Sequence, residues 1–143
     1  MPKENLELVK AIYSLSANMV DVEPAELDRS FREQMAEDFE IRLPPEYPEG
    51  GQVFVGRDGA ARFVAAFREA WTQWRIEPEQ YLDAGAQVVV FVRIHAAGGA
   101  SGVELDHEPA HLWTIRDGRA ASLEIFIDRD AALRAAGLAA DGA

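Results

Sequence analysis

Residues His111 to Asp128 constrain the fold more than any other stretch of this chain. They read as two strands rich in β-branched and aromatic residues, joined at Asp117-Gly118. Asp-Gly between alternating apolar residues is the pair that a two-residue hairpin asks for, because both turn positions need left-handed backbone. Two further runs extend the sheet that this hairpin implies. Gln87 to His95 is too β-branched for a helix and apolar enough to be buried on most of both faces, which predicts a central strand. Val103 to Arg116 reads as one long strand feeding the hairpin.

Helices precede these strands. Leu8, Ile12, Leu15 and Met19 recur at helical spacing over Lys3 to Met19, with Leu6, Val9 and Tyr13 as an adjoining stripe. Pro24 suits the start of a second helix, in which Leu27, Phe31 and Met35 mark one face. Asp38 to Leu43 alternates as a short half-buried strand that Pro44-Pro45 ends. Pro44 to Gly56 reads as the longest irregular segment, open to use as a lid. Asp58 is placed to cap a third helix, with Phe63, Phe67, Trp71 and Trp74 on one face. Pro78 then restricts Arg75 to Leu82 to an edge strand. Asp128 caps a last short helix, and Gly137 followed by Leu138 suits a Schellman stop. Helices first and strands collected after them argue for an α+β fold with a mostly antiparallel sheet. No linker or repeat divides residues 1–143, so one domain is expected, with 139–143 a frayed tail.

Composition narrows the chemistry. The chain has no cysteine, which excludes disulfides, thiolate catalysis and cysteine-ligated metals. Its formal net charge of −11 repels phosphate backbones and anionic lipid, so neither nucleic acid nor membrane is an expected partner. No apolar run reaches the length of a membrane span, and the charged N-terminus lacks signal-peptide character, so the expected location is cytoplasmic. No glycine-rich phosphate loop or nucleophile elbow occurs, and no cofactor is implied.

His111 is the leading functional candidate. It shares a strand face with Trp113 and Ile115 and should point into an apolar space that also receives Leu123, Ile125 and Ile127. Burial there would hold the imidazole neutral, able to polarise a carbonyl, to move a proton, or to serve as a structural group satisfied by a neighbour. Tyr13 either donates its phenol to a ligand or adds aromatic area to the core. Phe67 and Trp71 are core residues or a pocket wall. Arg93 interrupts the most apolar strand, so it reads as half of a buried ion pair with Asp106 or Glu124, or as an anchor for a ligand carboxylate. His107 shares the face of His111 but lies roughly 13 Å along an extended strand, too far to share a metal, and no metal site is expected.

The order of these segments resembles the nuclear transport factor 2-like superfamily, and in particular its SnoaL-like group. The resemblance rests on Val9-Lys10-Ala11-Ile12-Tyr13, Phe39-Glu40-Ile41-Arg42-Leu43, Phe54-Val55-Gly56-Arg57-Asp58-Gly59, Ala110 to Arg119, and Glu124-Ile125-Phe126-Ile127-Asp128. It implies a cone: a curved, mostly antiparallel sheet wrapped around three N-terminal helices, with a short C-terminal helix and commonly a homodimer. It also implies that His111 matches an oxyanion donor of steroid isomerases and a histidine of polyketide cyclases, and that Tyr13 matches a second donor. The base of the isomerases falls at Leu43 and the acid-base aspartate of the cyclases at Ile125, both inert here. The expected function is therefore a protein that binds a small hydrophobic molecule in an apolar pocket. It would act either as a cofactor-free isomerase, cyclase or dehydratase on a carbonyl compound, with His111 and Tyr13 catalytic, or as a non-catalytic binding or assembly domain.

Overall fold

The computed structural model describes residues 2–16, 23–44, 53–98 and 104–138. Helices α1 (Pro2–Ser16) and α2 (Pro24–Gln34) lead into β1 (Met35–Arg42) and β2 (Val53–Val55), and α3 (Gly56–Ala70) follows. The chain continues through β3 (Trp71–Ala84), β4 (Gln87–Gly98), β5 (Glu104–His107), β6 (Ala110–Arg116) and β7 (Arg119–Phe126) to α4 (Arg129–Ala135). Among the described residues, seven strands join one sheet in the order β2-β1-β7-β6-β4-β3, with β5 also paired to β4. Every pairing is antiparallel except β1 with β7. The result is a curved, unclosed α+β cone, as the sequence predicts.

The central hairpin forms as its residues require. Asp117 and Gly118 take φ of 55° and 76°, left-handed at both turn positions. Curvature comes from extra residues in the ladder. Register shifts between Pro78 and Gln80 in β3, and between Thr114 and Ile115 where β6 meets β7, bend the sheet locally. At the far edge, a Cβ on Gly59 would meet the Phe54 backbone at 2.9 Å, so only glycine lets α3 lie so close to β2.

The sheet has two faces of different character. The inner face carries Phe39, Ile41, Val88, Val90, Val92, Ile94, Trp113, Ile115, Leu123 and Ile125. These residues pack on Val9, Ile12 and Tyr13 of α1 and on Ala60 and Phe63 of α3. The outer face carries Val89, Phe91, Ala110, Leu112 and Phe126, covered by Ala132 and Leu133 of α4 and by its C-cap Ala136. Asp128 caps α4 by accepting from the Asp130 backbone N–H at 2.9 Å. The helix ends in a Schellman motif, with Leu138 N–H on Leu133 O at 2.8 Å and Gly137 N–H on Arg134 O at 3.1 Å.

Several expectations change. Trp71 and Trp74 belong to β3, not to the third helix, because their backbones pair with Gly98 and Ala96 of β4. Met35 opens β1 rather than completing a helical stripe, and Val53–Val55 is a short strand inside the segment read as irregular. The long strand ending at Arg116 keeps one register against β4 but is interrupted at Glu108-Pro109, where proline lacks the N–H for the ladder. The turn at 99–102, the body of the proposed lid at 45–52, the first helix beyond Ser16 and the tail at 139–143 lie outside the described residues. So do the side chains of Leu15, Leu27, Phe31 and Phe67.

Candidate functional site

β6 places His111, Trp113 and Ile115 on its inner face, and the pairing of His111 with Val90 on one side and Ile125 on the other surrounds the imidazole with aliphatic neighbours. His111 is 4% exposed and is the only buried polar or charged residue among those described. Its partner comes from α1. The Tyr13 hydroxyl lies 2.5 Å from His111 Nδ1, and Trp113 Nε1–H donates to the same hydroxyl at 2.9 Å. Three buried groups from two elements thus form one chain of hydrogen bonds.

The electrostatics follow from burial. Removal from water, with a smaller push in the same direction from His107, brings the His111 pKa down to about 3, so the imidazole is neutral at physiological pH. The same desolvation raises the Tyr13 phenol well above its ordinary value, against a lowering by the bond from Trp113. Tyr13 therefore keeps its proton. The relay is uncharged throughout, the state an apolar interior tolerates.

The remaining predicted site residues divide. Leu43, Leu123 and Ile125 are buried in the same inner cluster, and Trp71 is half-buried against it, 6.4 Å from the Trp74 ring centre. Two do not join them. Arg93 alternates outward between Val92 and Ile94, and its exposed guanidinium meets Glu108 at 2.7 Å and Glu79 at 3.8 Å, not Asp106 or Glu124 in a buried pair. Ile127 is 40% exposed, because β7 ends at Phe126 and the chain turns there toward the α4 cap. His95 makes an exposed 3.5 Å contact with Asp106. Among the described residues, no group of three His, Cys, Asp or Glu is placed to hold a metal ion.

Tyr81 joins the site although nothing in the sequence singled it out. Its half-buried ring meets Tyr13 edge-on at 6.2 Å, and Lys10 Nζ lies 5.3 Å from its centre. Alternation from Ile76 and Pro78 would turn Gln80 inward instead; the shift after Pro78 reverses the phase and pairs Tyr81 with Val90.

A SnoaL-like domain model matches residues 22–123. The chain belongs to this SnoaL-like family. Solved structures agree on the fold. A protein described as a SnoaL-like polyketide cyclase from Jannaschia superposes with a TM-score of 0.74 at 22% identity, covering 96% of this chain and 93% of its own. TerC, crystallised with polyporic acid, gives 0.71 at 24% identity over 94% and 98% of the two chains. A protein of ketosteroid isomerase-like fold from Catenulispora acidiphila, in complex with trimethylamine, gives 0.68 at 18% identity over 94% and 95%. Comparison with proteins of curated function finds no match. Among the described residues, no helix of this SnoaL-like chain is long and apolar enough to cross a membrane.

Proposed function

We propose that this SnoaL-like protein binds a small hydrophobic carbonyl compound against the inner face of its sheet, with His111 and Tyr13 as the polar centre of the site. The observation that carries this reading is the Trp113–Tyr13–His111 chain set in an otherwise apolar interior. A neutral imidazole there offers a hydrogen bond to a ligand oxygen without the desolvation cost of a charge. As a base it is weak, since a group with a pKa of about 3 seldom takes a proton near neutrality. That favours His111 as oxyanion donor over His111 as proton shuttle. In this role it would serve a cofactor-free isomerase, cyclase or dehydratase by stabilising an enolate-like oxygen. Leu123, Ile125, Leu43 and Trp71 supply apolar contact area.

Titration with α-tetralone tests this, read by tryptophan fluorescence in wild type and His111→Ala. Saturable quenching in wild type, weakened about tenfold or more in the variant, is the expected result. No response in either protein overturns the reading.

One observation favours a second reading. Leu43 and Ile125 are buried aliphatic residues where relatives are expected to carry acids, and no carboxylate is buried among the described residues. A non-catalytic binding or assembly domain of the same fold has no need of them. Under that reading ligands bind without turnover, or homodimers form through the outer face of the sheet. Analytical ultracentrifugation and product analysis after incubation with α-tetralone separate the cases.

A further inference from the structure

We infer that Trp113 is a positioning residue that acts through Tyr13 to fix His111 in a single tautomer, with Nδ1 bare and Nε2 protonated. The site then offers its ligand a hydrogen-bond donor and takes the acceptor end of an uncharged molecule. The ligand part of this inference rests on the binding reading above; the tautomer does not.

The argument is geometric. The rings of Tyr13 and His111 are within 12° of parallel with centres 5.9 Å apart. The phenol oxygen lies in the plane of its ring and is 2.5 Å from Nδ1, so the two planes cannot be separated by the spacing of a stack, and the imidazole meets the hydroxyl edge-on, near the phenol plane. A phenol proton prefers that plane, where it has two positions about the oxygen, one of them toward His111 Nδ1. Indole N–H is a donor only. Trp113 Nε1–H approaches the same oxygen at 2.9 Å with its ring at 85° to the phenol, and two hydrogens cannot face each other there. The phenol proton is left the side of His111. Nδ1 must therefore accept, which assigns the imidazole proton to Nε2.

Without the indole N–H the second position opens. Tyr13 can then turn its proton away and accept from a protonated Nδ1, so both tautomers become available. Trp113→Phe should thus leave the fold and the imidazole in place while releasing its proton.

Nitrogen-15 NMR of the three histidines tests this, with His111 assigned by comparison with His95→Gln and His107→Gln. Wild type should show a pyridine-like Nδ1 and a pyrrole-like Nε2 at His111. Trp113→Phe and Tyr13→Phe should both move these toward the average of a mixture, with far-UV circular dichroism unchanged. Should Trp113→Phe fail to fold, the wild-type tautomer and Tyr13→Phe decide alone. A protonated Nδ1 in wild type overturns the inference, as does an unmixed Nε2 tautomer in folded Tyr13→Phe. With α-tetralone as probe and tetralin as the matched hydrocarbon, the wild-type preference for the ketone should fall about three- to tenfold in Trp113→Phe. A pyrrole-like Nε2 with no ketone binding would retain the wiring and refute the binding reading. A preference for the ketone with a protonated Nδ1 would do the reverse.

Discussion

The two faces of the sheet solve the same problem, a polar group within an apolar surface, by opposite means. On the inner face His111 is out of water and is paired with the neutral Tyr13 hydroxyl, which in turn accepts from Trp113 Nε1–H, so the relay carries no charge. On the outer face, charges are retained because water is near. Pro109 cannot supply the N–H that Val92 O would take in a regular ladder, although Val92 N–H still bonds Pro109 O at 3.2 Å. Arg129 of α4 supplies it instead, at 3.1 Å, while its Nε donates to Glu108 O and the same guanidinium meets Glu79 at 2.8 Å. It also lies 4.6 Å from the Phe91 ring centre. The outer network anchors a helix; the inner one joins α1 to β6 and, on the reading proposed above, leaves a donor for a ligand.

Truncating the inner face should produce the largest loss. Trp113→Ala removes a buried ring and the first donor of the relay, and should cost about 3–5 kcal/mol in urea unfolding. Acid comes next. His111 has a depressed folded pKa of about 3 against an ordinary 6.5, so the unfolded chain takes up the proton first. Its contribution is therefore intact above the unfolded value and is lost as pH falls from there toward 3. The slope approaches about 1.4 kcal/mol per pH unit. Unfolding of wild type and His111→Leu at several pH values checks this, since the variant should lack that component of the slope.

Arg129→Ala tests the outer network. It strips a donor from two backbone carbonyls and should cost about 1–3 kcal/mol by the same measurement. Pro109→Ala restores an N–H opposite Val92 O, so the Arg129→Ala penalty should shrink in that background. A full penalty in both backgrounds would break the assignment of Arg129 as the substitute for Pro109. The smallest effect belongs to Arg93→Gln. Its ion pairs are solvent-exposed, and the urea midpoint should stay where it is.

What could be read from residues alone follows the same division. Asp117-Gly118, the Asp128 cap and the Gly137 stop were legible because each is a local demand on backbone angles or an orphan N–H. The inward placement of His111 was legible because β6 has an undisturbed period of two. Trp71 and Trp74 were not, since their spacing with Phe63 and Phe67 satisfies a helix and only pairing with β4 makes them strand. Tyr81 was hidden by the irregularity after Pro78, which no pattern announces. Arg93 was misplaced by treating β4 as buried on both faces, where simple alternation with Val92 and Ile94 puts it outside. The bond between Tyr13 and His111 spans 98 positions of sequence, and nothing short of the assembled fold specifies it.

Amide and indole NMR of wild type during titration with α-tetralone tests the central claim most directly. The account predicts saturable shifts at Trp113 Nε1–H, His111 and their inner-face neighbours Val90 and Ile125, with α4 and Arg129 unmoved. Shifts confined to the outer face, or none at saturating ketone, would contradict it.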